Sequence, residues 1–141
     1  MKTSNAKIIV KTSLQPAAAE IRAGQSIELL KELHILTREG KLNQDTRRKL
    51  KQVYHLYGFI EKLMLEICQS GKPFSLADHG AGKSYLGFIL YDLFFNDQRP
   101  VAANTLRKGH IYGIETRSDL VQKSQELAER LGFNNMSFIN L

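Results

Sequence analysis

Apolar residues recur along this chain with one period before about residue 73 and another after it. Over 16–38, Ile27, Leu30 and Leu33, with Leu29 and Leu36 on the adjoining line, mark the buried side of a predicted helix. Pro16 suits its first turn, and Gly24 weakens its continuity. Gly40-Lys41-Leu42-Asn43 breaks the pattern. A second helix follows, capped by Asn43 or Asp45. In it Leu50, Val53, Tyr57, Ile60, Met64 and Ile67 alternate spacings of 3 and 4, and Leu56, Phe59 and Leu63 widen the stripe. Gly71-Lys72-Pro73 ends it. Ahead of both, residues 6–11 alternate as a short strand or ordered arm.

Past residue 73 the pattern predicts a buried strand over 74–78, a helix over 83–95, a polar loop over 96–108 and a strand over 109–115. Thr116-Arg117-Ser118-Asp119 has the form of a capping box. It opens a helix that runs through Leu131 and stops at Gly132. Residues 136–141 read as a third strand. The order β-α-β-α-β predicts an α/β fold with a parallel sheet and right-handed crossovers.

Composition adds a division of charge. Of the net +6, all belongs to residues 1–72, which hold thirteen Lys/Arg against seven Asp/Glu; residues 73–141 hold seven of each. The expected organisation is a basic helical region over 1–72 and an α/β region over 73–141. Arg47, Arg48, Lys49 and Lys51 cluster in the first two turns of the second helix, where cations gain nothing from the helix dipole. They are either a solvated face or a surface for phosphates, and so a candidate nucleic-acid interface. The single Cys68 lies in an apolar helical stretch and reads as a small buried thiol. His34, His55 and His110 show no ligand spacing with each other or with Cys68, so no metal site is indicated. No run of 18 apolar residues and no signal-peptide core is present. The expectation is a cytoplasmic protein with no membrane partner.

The most informative stretch is Leu76-Ala77-Asp78-His79-Gly80-Ala81-Gly82-Lys83-Ser84-Tyr85-Leu86-Gly87. A strand, a glycine turn and a helix N-terminus in succession bring a ligand close to backbone N–H groups. A P-loop requires glycine at position 77, where the residue is Ala77, and a dinucleotide fingerprint requires a third glycine where Tyr85 stands.

Asp78-x-Gly80-x-Gly82, followed by a strand ending in Glu115, resembles the class I S-adenosylmethionine-dependent methyltransferases. Asp78-His79-Gly80-Ala81-Gly82-Lys83-Ser84-Tyr85-Leu86 is similar to the D-x-G-[AC]-G-K-G-Y-L of the methyltransferase-like 25 type. Gly113-Ile114-Glu115-Thr116-Arg117-Ser118-Asp119-Leu120 resembles its G-I-D-x-R-x-D-L. Residues 43–55 resemble its helical lead-in, so the likeness spans about residues 20–141.

The resemblance implies S-adenosylmethionine or S-adenosylhomocysteine as ligand, held by Asp78, His79, Gly80, Ala81, Gly82, Ser84, Tyr85, Glu115 and Thr116. Gly80 and Gly82 let the backbone approach the ligand with no Cβ in the way. Glu115 accepts both ribose hydroxyls, and Asp78 holds the cofactor's amino-acid portion or braces the turn. Lys83 faces solvent or meets the cofactor carboxylate. His79 is structural or catalytic, and no catalytic residue is assigned. Two positions depart from the family: Ser84 replaces a glycine, and Glu115 replaces an aspartate.

The resemblance also implies an incomplete Rossmann-like fold, the amino-terminal half of an enzyme with about three of its strands. Self-association through a bare strand edge, or a missing carboxy-terminal half, is expected on that reading. The basic first half favours RNA as acceptor. The competing readings are a non-catalytic nucleic-acid or protein-binding module with a vestigial glycine turn, and a nucleotide-binding fragment using Gly82-Lys83-Ser84.

Overall fold

The computed structural model describes residues 18–96 and 107–141. The alternating piece over 6–11 and most of the polar loop lie outside the described residues.

The first predicted helix is not continuous. Ala18–Glu20 form a single 3-10 turn, and α1 runs only from Ile27 to Glu32. The chain takes positive φ at Gly24 (+89°) and at His34 (+58°), and each change of hand interrupts helical hydrogen bonding. The Ser26 hydroxyl accepts the Leu29 N–H and starts α1 afresh. Leu29, Leu30, Leu33 and Leu36 are buried as the pattern requires, but Ile27 is exposed.

Helix α2 spans Gln44–Gln69, opened by a reciprocal capping box in which Asn43 and Thr46 each bond the other's backbone N–H. It packs on α3 (Tyr85–Phe95) and β1 (Phe74–His79) through Leu50, Tyr57, Met64 and Cys68. The Cys68 thiol is buried and donates to the Lys108 carbonyl at 3.3 Å. The apolar stripe is narrower than its sequence suggested. Leu56, Phe59, Leu63 and Ile67 are exposed, Phe59 by 60%, because the line through 50, 57, 64 and 68 faces the core, with Val53 and Ile60 half-buried at its margin.

Strands β1, β2 (Gly109–Glu115) and β3 (Met136–Asn140) form a parallel sheet in that order. Register places Asp78 beside Gly113 and Glu115 beside Asn140. With α3 after β1 and α4 (Ser118–Leu131) after β2, this is a partial Rossmann-like α/β fold preceded by helices, as the strand-helix order predicted. Along β2 the more buried side carries Ile111, Gly113 and Glu115. The helices cover that face, where Phe88 stacks on Phe138 at 5.6 Å between ring centres. Gly113 makes the packing possible, since a Cβ there would lie 2.8 Å from the Phe138 ring. The same apolar cluster joins α1, α2 and the sheet, from Leu29 through Tyr57 to Phe94 and Phe138.

One buried acid ties the entry segment to this core. Asp92 on α3 accepts from the Ser26 N–H at 2.6 Å, from the Gln25 amide, and from the Asn96 amide at 2.7 Å.

Candidate functional site

The carboxyl ends of β1 and β2 lie side by side, and the turn after β1 folds over the end of β2. Gly80 and Gly82 have φ of +71° and +60°, conformations that side chains disfavour. The Gly80 and Ala81 N–H groups both donate to the Ile114 carbonyl, at 2.8 and 2.9 Å. The next free donor of the turn, the Gly82 N–H, points at the following side chain and bonds Glu115 Oε1 at 2.9 Å.

Glu115 is buried, its side chain only 7% exposed. Its Oε2 accepts the Arg117 backbone N–H at 3.0 Å and the Arg117 Nε–H at 2.9 Å, with the Thr116 hydroxyl at 3.4 Å. Arg117 Nη2 reaches Oε1 at 3.4 Å. The Arg117 side chain, then the backbone donors of Arg117 and Gly82, hold the Glu115 carboxyl down to about 2, outweighing burial. Glu115 is therefore ionised throughout the ordinary pH range. Charge-assisted bonds from fixed backbone donors orient it without side-chain mobility.

The structure brings Asp78, Gly80, Ala81, Gly82, Glu115 and Thr116 to these strand ends. Asp78 is half-buried and has no hydrogen-bond partner among the described residues; burial raises its carboxyl above the usual range. His79 is exposed beside it. Ser84 is the N-cap of α3 but its side chain makes no capping bond. It sits at φ +64°, 2% exposed, and accepts from the Ser124 hydroxyl at 3.3 Å. The left-handed φ is the reason a glycine suits this position.

Tyr85 belongs elsewhere. With Lys83 it lines a groove of about 550 Å³ between α1, α3 and α4, to which Glu115 does not contribute. Lys49 Nζ stands 5.6 Å from the centre of its ring. Lys83 itself is exposed.

The basic cluster is partly neutralised. Arg47 bonds Glu20 at 2.6 Å, and Lys49 pairs with Asp45 at 3.2 Å. Arg48 and Lys51 are exposed, with no ion-pair partner among the described residues.

Sequence reading missed two things here. The Thr116 capping box does not form: Arg117 is the N-cap of α4, without a side-chain cap bond. The Thr116 hydroxyl lies toward Glu115 instead. The Arg117 side chain was not singled out, although an arginine two positions after a strand-end acid is the signal that could have found it.

A family model described as a methyltransferase domain matches residues 48–141. No curated protein sequence matches the chain. Among solved structures, a SAM-dependent methyltransferase from Aquifex aeolicus shares 19% identity at a TM-score of 0.36, over 48% of this chain and 30% of its own. Protein-L-isoaspartate O-methyltransferase shares 19% at 0.36, over 55% and 21%. The plantazolicin methyltransferase BamL, in complex with a triazolic desmethylPZN analog and SAH, shares 17% at 0.32, over 64% and 32%. The chain spans less than a third of the length of each.

Proposed function

This chain belongs to the methyltransferase domain family, and we propose that it binds S-adenosylmethionine across the ends of β1 and β2. The observation that carries the reading is the Glu115 carboxylate, buried and ionised, fixed against the Gly82 N–H at the end of β2. Such an acid accepts ribose hydroxyls in nucleoside-binding α/β folds. The residues fit the group: two glycines of positive φ border the acid, and a half-buried carboxylate, Asp78, stands on the neighbouring strand end with acceptor capacity to spare. In this reading Asp78 takes the ligand's ammonium group, and Gly80, Ala81 and Gly82 shape the turn around it. His79, Ser84 and Thr116 lie around or behind this core as supporting residues, while Tyr85 lines the separate groove between α1, α3 and α4.

The bound donor supplies an electrophilic sulfonium methyl for in-line displacement. The chain's own residues bind and orient. We assign the acceptor to RNA, supported by the charge of the first 72 residues and by the exposed Arg48 and Lys51 at the start of α2. The motif 78–86 supports placement in the methyltransferase-like 25 type.

Calorimetric titration with S-adenosylhomocysteine and with ATP tests the reading. Binding of the first, lost in Glu115→Ala, is expected. ATP binding lost in Lys83→Ala would favour a nucleotide-binding fragment instead. Retention of single-stranded RNA on a filter, falling with salt and abolished in Arg48→Glu/Lys51→Glu, is the outcome expected for the acceptor.

A further inference from the structure

A carboxylate offers two in-plane acceptor positions on each oxygen, and on Glu115 all four are taken. Oε1 accepts the Gly82 N–H at 2.9 Å and Arg117 Nη2 at 3.4 Å. Oε2 accepts the Arg117 N–H at 3.0 Å and Arg117 Nε at 2.9 Å. Each oxygen thus carries one backbone donor and one guanidinium donor. The two backbone donors are set by the fold. The guanidinium sits on a side chain 63% exposed, free to turn into solvent. The Thr116 hydroxyl approaches Oε2 at 3.4 Å, as long as the Nη2 contact, and is a fifth donor turned toward the same carboxylate.

The guanidinium presents two adjacent donors to two carboxylate oxygens, the same pattern that a ribose presents with its neighbouring hydroxyls. We propose that Arg117 is a displaceable cap on the ligand-accepting edge of Glu115, and that a cis-diol binds by taking its place. The backbone N–H groups of Gly82 and Arg117 keep the carboxylate aimed during the exchange. The inference rests on the cofactor reading above, and makes Arg117 a specificity-determining residue for it. A ligand with both hydroxyls restores every bond the guanidinium gives up. A ligand with one leaves a buried acceptor position empty, which is costly. Because the Arg117 guanidinium is exposed, solvent screens its hold on the buried carboxylate, and the cap lowers affinity by about two- to fivefold.

S-Adenosylhomocysteine carries no net charge, so removing a cation does not act through the ligand's charge. Isothermal titration of the wild type, Arg117→Ala, Arg117→Lys and Glu115→Gln separates the possibilities. Arg117→Ala is expected to bind about two- to fivefold tighter than wild type, with Arg117→Lys between them, since a lysine offers one point donor. Raising KCl from 0.05 to 0.5 M screens the cap. It should tighten binding to the wild type and leave Arg117→Ala unchanged. Equal or weaker binding by Arg117→Ala, with Glu115→Gln inactive, overturns the cap and leaves the cofactor reading standing. Undiminished binding by Glu115→Gln overturns the cofactor reading itself. Absence of binding to every protein, Arg117→Ala included, overturns both. Circular dichroism of each variant checks that the fold is kept.

Discussion

Glu115 Oε1 accepts the Gly82 N–H at 2.9 Å, joining two points 33 residues apart at the ends of adjacent strands. The contact makes the acid part of the turn's own structure, so its ionisation is coupled to folding. The carboxyl is held at about 2 in the folded chain against an ordinary 4.5. Its stabilisation is complete above the ordinary value and is lost as pH falls through the lower one. Glu115→Gln is therefore expected to be less stable than wild type at pH 7, with the gap closing between pH 5 and pH 2. Urea midpoints across that range check it; a gap independent of pH refutes the coupling.

Ser84 carries a side chain in a left-handed conformation. Relieving it by Ser84→Gly is expected to stabilise the chain by about 1 kcal/mol, partly offset by loss of the Ser124 bond. Ser84→Val should do the opposite, because a β-branched residue tolerates positive φ least. Thermal melts of the two variants should move in opposite directions.

Burial raises the Asp78 carboxyl above the usual carboxylate range, so its charge opposes folding at neutral pH. A raised folded pKa penalises stability above the ordinary value and not below it. Asp78→Asn should therefore be more stable than wild type at pH 7 and equal to it near pH 3. If Asp78 takes the ligand's ammonium, the same variant loses affinity for S-adenosylhomocysteine. Gain in stability with loss of binding is the expected pair of results, read by denaturation and calorimetry.

Asp92 receives three donors in the core, one of them the backbone N–H that opens α1. Asp92→Ala strands those donors and should destabilise the chain by about 3 kcal/mol. Hydrogen exchange should show the loss first at Ser26 and along α1. A uniform change in protection would count against a local clamp.

The strands, their order and both long helices were legible in the sequence, because periods of two and of 3.6 separate cleanly over 44–69 and 74–140. The glycine turn and Glu115 were legible as well, since positions needing positive φ and a strand-end acid leave residue-type signals. What failed depended on neighbours distant in sequence. Ile27 and Leu56 have the right spacing for burial, yet no element packs over them among the described residues. The helix expected over 16–38 broke at Gly24 and at His34; the second break carries only a weak residue-type signal, since histidine enters the left-handed region more readily than most side chains yet is usually helical or extended. The role of Arg117 was hidden because local pattern favoured Thr116 as the cap, while the buried charge of Glu115 claimed both residues.

Gly80 and Ala81 share one anchor, the carbonyl of Ile114, which is the peptide immediately before the acid. Turn and carboxylate are therefore surveyed from a common benchmark. A shift of the end of β2 thus displaces the turn and the acid together. The Glu115 carboxylate adds a third tie by accepting the Gly82 N–H, so the turn is moored to both the backbone and the side chain at the end of one strand.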